Sequence, residues 1–134
     1  MSEFGNPADK LILLVDDDES LLDLMNHVVK KEGFRTDRAM DGQEALLKVA
    51  ALKPDAIVLD FMLPSMGGYE ALRELQARDL SYIPIVVVTG RVLDEGAIKA
   101  IREEKNVADF LMKPVRPALL VAALHRILKT APPR

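Results

Sequence analysis

Asp16 and Asp17 follow the hydrophobic run 11–15, Asp60 follows 56–59, Thr89 follows 85–88 and Lys113 follows 110–112. In an open parallel α/β sheet, ligands bind in the crevice outside the carboxyl ends of the strands, so a common address for these groups predicts one shared site. Carboxylates gathered there repel one another. The arrangement persists only where a cation neutralises it or one acid keeps its proton. The simplest occupant is Mg²⁺.

A carboxylate is also a competent nucleophile toward phosphorus, provided that charge on the phosphoryl oxygens is neutralised as the new bond forms. Asp60 is the candidate nucleophile, since it ends a uniformly apolar run and precedes Phe61-Met62-Leu63-Pro64. Asp16, Asp17, Asp60 and the backbone carbonyl of Met62 supply the oxygen ligands that Mg²⁺ prefers. Lys113 balances remaining negative charge as a point cation. Thr89 can hydrogen-bond a phosphoryl oxygen, with Gly90 leaving room for it.

These positions need a scaffold, and the chain from Lys10 alternates short β-branched runs with helical periodicity five times over. That alternation predicts a doubly wound α/β domain, a five-stranded parallel sheet with helices on both faces. A first helix near 20–32 carries Leu21, Leu22, Met25, Val28 and Val29 on one face and ends at Gly33. Residues 34–39 alternate with Arg35 and Asp37 like an edge strand, whereas 56–59 and 85–88 read as central strands covered on both faces. Asp41 and Glu44 form a capping signal for a second helix, with Ala45, Leu46, Val49 and Ala50 as its buried face until Lys53-Pro54. A third helix follows Gly67-Gly68. The fourth, about 94–105, has only Ile98 and Ile101 as large apolar anchors, so it is the expected moving part. The fifth, about 116–129, is apolar around much of its girth.

The 134 residues suit one domain, with 1–9 as a loose leader, 10–130 as the folded unit and 131–134 as a tail or the start of a linker. There is no cysteine, which excludes disulfides and thiol chemistry and fits a reducing compartment such as the cytoplasm. The net charge of −3, with lysines and arginines scattered, argues against direct nucleic-acid binding. No apolar stretch is long enough to span a membrane.

The motifs Val15-Asp16-Asp17-Asp18, 41–46, 54–64, Met66-Gly67-Gly68, Val88-Thr89-Gly90 and Phe110-Leu111-Met112-Lys113-Pro114 together resemble the receiver domain of bacterial two-component response regulators, of chemotaxis-regulator-like form. The likeness covers about 10–129. It implies a flavodoxin-like strand order 2-1-3-4-5 and Mg²⁺-dependent phosphorylation of Asp60 by a histidine kinase or histidine phosphotransfer protein. It further implies that Thr89 moves to the phosphoryl group, that Phe110 changes rotamer in concert, and that a cis peptide joins Lys113 to Pro114. Two departures stand out: Gly67 occupies a commonly acidic position, and Lys105-Asn106-Val107 replaces a usual glycine before the last strand.

Plainer readings apply to several residues. Asp18 reads as a helix cap, His27 and His125 as surface histidines, and the six methionines as core fillers. Phe110 reads equally as core or as switch. Met62 and Arg91, two residues beyond Asp60 and Thr89, are expected to flank the phosphoryl group and govern water access. The output surface is expected on the fourth helix, last strand and fifth helix, with Leu119 and Ala122 exposed as a patch for a downstream target or a second copy. Two rival functions have different requirements. An aspartyl-phosphate-forming hydrolase that uses an acid two residues after its nucleophile meets Met62 instead, and a flavin module would need a Gly/Ser/Thr loop where this chain has acids.

Overall fold

The computed structural model describes residues 4–62, 68–90 and 94–131. Five parallel strands, β1 (Leu11–Val15), β2 (Arg35–Ala39), β3 (Ala56–Asp60), β4 (Ile85–Thr89) and β5 (Val107–Met112), lie in the order β2-β1-β3-β4-β5. Between and after them run α1 (Glu19–Lys31), α2 (Gly42–Leu52), α3 (Gly68–Ala77), α4 (Glu95–Arg102) and α5 (Pro117–Leu128). The expected fold class and strand order are both observed.

Strand alternation divides the core into two layers. Leu13, Val15, Ile57, Leu59, Ile85 and Val87 face α2, α3 and α4, burying Leu46, Val49, Leu72, Leu75 and Ile101 with Phe110. Ile12, Leu14, Val58, Val86 and Val88 face α1 and α5, burying Leu22, Met25, Val29, Leu120 and Leu124. Because both faces are covered, every residue of β3 and β4 is buried, which is why those runs carry no alternation. β2 has one strand neighbour and keeps its polar residues half-exposed, as an edge strand does.

Helix starts follow cap chemistry. The carboxylates of Asp18, Asp41 and Asp94 accept from the backbone N–H groups of Leu21, Glu44 and Ala97, and Glu44 accepts in return from the Met40 N–H. Gly33, with φ of 99°, turns the chain after α1. The cis peptide implied by the family likeness is present at Lys113-Pro114.

Several expectations need correction. Ala50 is exposed; Leu46 and Val49 suffice for the buried face of α2. α4 ends at Arg102, three residues early, because 103–106 turn back to start β5. Among the described methionines only Met25 is buried, whereas Met40, Met62 and Met112 are exposed. Part of the segment expected to be loose is tied down: the Gly5 N–H donates to the Lys129 carbonyl, and Pro7–Asp9 form a 3-10 turn capped by Asn6.

His125 is the largest correction. It is buried, stacked at 5.0 Å on Phe34, with Nε2 2.9 Å from Glu32 and Nδ1 2.7 Å from the Thr130 hydroxyl. With Glu32 ionised Nε2 must donate, so Nδ1 accepts from Thr130 in the neutral ring. The imidazole thereby ties the end of α1 to the end of α5. His125→Ala should cost about 1–3 kcal/mol in urea unfolding by stranding these partners. A change within error would show that water replaces the ring without loss.

Candidate functional site

Each group is delivered by the sheet. Asp16 leaves β1 with its N–H bonded to the Ala39 carbonyl, Phe61 after β3 bonds the Val88 carbonyl, and Lys113 after β5 bonds the Thr89 carbonyl. These ladder bonds continue just past the strand ends, so the side chains are carried on the rigid part of the fold. Asp16, Asp60 and Thr89 are all buried, with 1%, 2% and 1% exposure. Asp17 is exposed at the mouth.

The Lys113 Nζ lies 3.0 Å from Asp16 Oδ2 and 3.4 Å from Asp60 Oδ2. Backbone N–H groups of Asp18 and Met62 donate to Asp16 Oδ1 and Asp60 Oδ1 at 2.9 and 3.0 Å. Each buried carboxylate is therefore oriented by an amide two residues ahead and faces the same ammonium. Asp16, Asp17 and Asp60 bring one oxygen each within 4.8 Å of one another. Asp16 Oδ2, although close to Lys113, lacks a well-aligned hydrogen-bond donor.

Three carboxylates and one ammonium leave a formal charge of −2, which a divalent cation would cancel. Burial chiefly, with the neighbouring Asp60 charge, raises the Asp16 pKa despite the opposing Asp18 N–H bond and the nearby Lys113 ammonium. Lys113 is raised in turn: burial disfavours its charge, but the Asp16 and Asp60 carboxylates outweigh it. An oxygen-only donor set with an under-satisfied buried carboxylate oxygen fits a hard cation such as Mg²⁺.

The structure thus brings together Asp16, Asp17, Asp60, Thr89 and Lys113. Phe110 is buried in the layer beneath, with the Arg102 guanidinium 5.6 Å from its ring centroid. Met62 is 49% exposed beside Asp60, while Arg91 lies outside the described residues, as do Leu63, Pro64, Met66 and Gly67. A Cβ on Gly90 would meet Lys113 Cδ at 3.5 Å, an ordinary contact, so Lys113 does not require glycine there. Asp18 is occupied as the α1 cap and is absent from the oxygen cluster.

This chain belongs to the response regulator receiver domain family, whose sequence model matches residues 12–125. It is 39% identical over 118 residues to the DNA-binding response regulator MtrA of Mycobacterium tuberculosis, covering 88% of this chain and 50% of that protein. It is 38% identical over 120 residues to the alkaline phosphatase synthesis transcriptional regulatory protein PhoP of Bacillus subtilis, covering 90% and 49%. The chain thus spans about half the length of these curated relatives. Among solved structures it is similar to the chemotaxis response regulator CheY4 of Vibrio cholerae, with 28% identity, a TM-score of 0.79 and coverage of 89% and 98%. It is also similar to the receiver domain of Francisella response regulator 1452, with 25% identity, a TM-score of 0.81 and coverage of 90% and 97%.

The geometry separates adjacent aspartates by role. Asp17→Ala should weaken Mg²⁺ binding at least as much as removal of a group that only orients a metal ligand, about tenfold or more. Asp18→Ala should cost helix stability instead, about 1 kcal/mol. Equal losses of affinity in a Mg²⁺ titration followed by calorimetry would overturn the assignment.

Proposed function

We propose that the chain is a phosphoacceptor signalling switch in which Asp60 receives a phosphoryl group from the phosphohistidine of a histidine kinase or histidine phosphotransfer protein. The carrying observation is the setting of Asp60: a buried carboxylate held by the Met62 N–H, facing Lys113, with the Asp16 and Asp17 oxygens close by. A structural aspartate needs no such convergence of further acids.

An Asp60 oxygen attacks phosphorus as the P–N bond to the donor imidazole breaks; the electron pair stays on the imidazole, which takes a proton from water. The Met62 N–H fixes the carboxylate plane for in-line approach. Lys113, already beside Asp60, neutralises charge on the phosphoryl oxygens, and the Thr89 hydroxyl at the neighbouring strand end donates to one of them. Asp16, Asp17, Asp60 and the Met62 carbonyl would hold a Mg²⁺, which would supply the remaining positive charge. The domain assists its own phosphorylation and slow dephosphorylation and turns over no separate substrate.

Output passes through the face of α4, β5 and α5. Leu119 is 52% exposed and Ala122 is also exposed, while Leu120 and Leu124 are buried, so α5 keeps apolar surface for a downstream protein or a second copy. Phosphorylation acts by stabilising one of two arrangements of that face. The domain binds no nucleic acid itself, and among the described residues no helix is long and apolar enough to cross a membrane. We place its action in the cytoplasm.

Treatment with acetyl phosphate and Mg²⁺ should add one phosphoryl mass to the wild type and none to Asp60→Asn or to wild type in chelator. Equal labelling of Asp60→Asn would refute the assignment. Met62 and Arg91 should shield the acyl phosphate from water, so Arg91→Ala should shorten its lifetime. An unchanged dephosphorylation rate would leave Arg91 without a part in controlling water access.

A further inference from the structure

The turn between α4 and β5 departs from the family pattern at Lys105-Asn106-Val107, and the structure shows what the departure does. Asn106 is 2% exposed. Its Nδ2 donates to the Leu72 carbonyl in α3 at 3.3 Å, and its Oδ1 accepts from Gln76 Nε2 at 3.0 Å. The same Gln76 Nε2 donates to Glu104 Oε2 at 2.9 Å, while Tyr69 Oη donates to Glu104 Oε1 at 2.7 Å. Each amide orientation is dictated by its partners, since Glu104 can only accept and a carbonyl can only accept. Glu104 is gripped at both oxygens.

The network is directional and closed. Tyr69 and Gln76 sit two turns apart on one face of α3, so together they span both oxygens of a carboxylate arriving from another element. The Gln76 amide first, then the Tyr69 hydroxyl, holds the Glu104 carboxyl below the usual carboxylate range, so it stays ionised. Arg73 donates to Tyr69 Oη at 2.9 Å and lies 3.4 Å from Glu104 on the exposed rim.

Both ends of this clasp touch the switching parts. Tyr69 meets Phe61, the residue after Asp60, edge-on at 6.2 Å. Glu104 lies two residues beyond α4, whose last residue, Arg102, stacks over Phe110. α4 itself brings only Ile101 fully into the core, with Ile98 partly buried. A short helix with one full apolar anchor depends on such polar contacts at its end for its position.

We propose that Tyr69, Gln76, Glu104 and Asn106 form a restraint that pins the carboxyl end of α4 to α3 and thereby opposes the phosphoryl-bound arrangement of the output face. Tyr69 and Glu104 are positioning residues: they do not touch the acid pocket, but they set how readily it is filled. Loosening the clasp should make the pocket bind a phosphoryl mimic more tightly, because a contact formed in one state only shifts the equilibrium by its own differential free energy. A contact that merely supports the fold would act oppositely or not at all. This inference rests on the reading of Asp60 as phosphoacceptor.

The test uses Tyr69→Phe and Glu104→Gln in the full chain, with Lys99→Ala as control, since among the described residues the Lys99 side chain makes only an exposed 3.9 Å pair on α4. Tyr69→Phe keeps the ring and loses only the hydroxyl's two bonds, to Glu104 and from Arg73, so the fold should survive, which circular dichroism checks. Without any phosphoryl mimic, amide exchange over 98–107 should rise in both variants and stay at the wild-type level in Lys99→Ala. Beryllofluoride with Mg²⁺ should then bind about fivefold more tightly to each variant, and the double variant should gain less than the product of the single gains. Unchanged exchange would overturn the restraint. Raised exchange with unchanged or weaker beryllofluoride affinity would reduce the clasp to a structural role and overturn its coupling to the pocket. Failure of the wild type to bind beryllofluoride would instead sink the phosphoacceptor reading, and the coupling with it, whatever exchange shows.

Discussion

The Lys113 ammonium, 3.0 Å from Asp16 and 3.4 Å from Asp60, is what allows two buried carboxylates to stand at neighbouring strand ends. Like charges about 4 Å apart repel by roughly 4 kcal/mol at an effective dielectric of about 20, a sizeable part of a small domain's stability. One ammonium answers that repulsion only in part. Burial chiefly, with the Asp60 charge as a smaller cause, still raises the Asp16 pKa. The pocket is therefore built with a deficit of positive charge, and a cation or a proton relieves it. A divalent cation bound to these oxygens would answer that deficit directly.

That deficit is tolerable because the backbone leaves the carboxylates no alternative. β1 and β3 are adjacent, with Val15 paired to Leu59, so Asp16 and Asp60, the next residue of each chain segment, emerge side by side. This is where the connections diverge: β2 lies on one side of β1 and β3 on the other, which opens the crevice at the sheet's carboxyl edge. Two apolar layers clamp the central strands, and the side chains at their ends inherit that rigidity. The sheet sets where the carboxylates stand, and the Asp18 and Met62 amides just beyond it set how they are turned.

Much of this was legible from residue order because its causes are local or periodic. Uniformly apolar runs marked β3 and β4, aspartate caps marked α1 and α2, and a reactive group after each run marked the crevice. What escaped reading was tertiary. His125 has no sequence neighbour that betrays its bonds to Glu32, 93 residues away, or its stacking on Phe34. The exposure of Met40, Met62 and Met112 depends on helix and strand ends that periodicity does not resolve. The Asn106 network escaped for the same reason: its partners Leu72 and Gln76 are 34 and 30 residues distant. The one signal was the missing glycine itself. A residue with a hydrogen-bonding side chain in its place implies a partner, though not which one.

The two ends of α4 are thus held by different physics. Its start is capped locally by Asp94, which any sequence with that cap would achieve. Its end is held across space by an ionised carboxylate and two amides in a partly wet setting. Apolar anchors hold by many close contacts at once, and a gap of about 0.5–1 Å forfeits a quarter to a half of each. Hydrogen bonds to a charge fail within a few tenths of an ångström and are readily exchanged for water at a surface. A helix end fastened by such exchangeable contacts opens locally at low cost, and moving elements are drawn from that low-stability end of a fold.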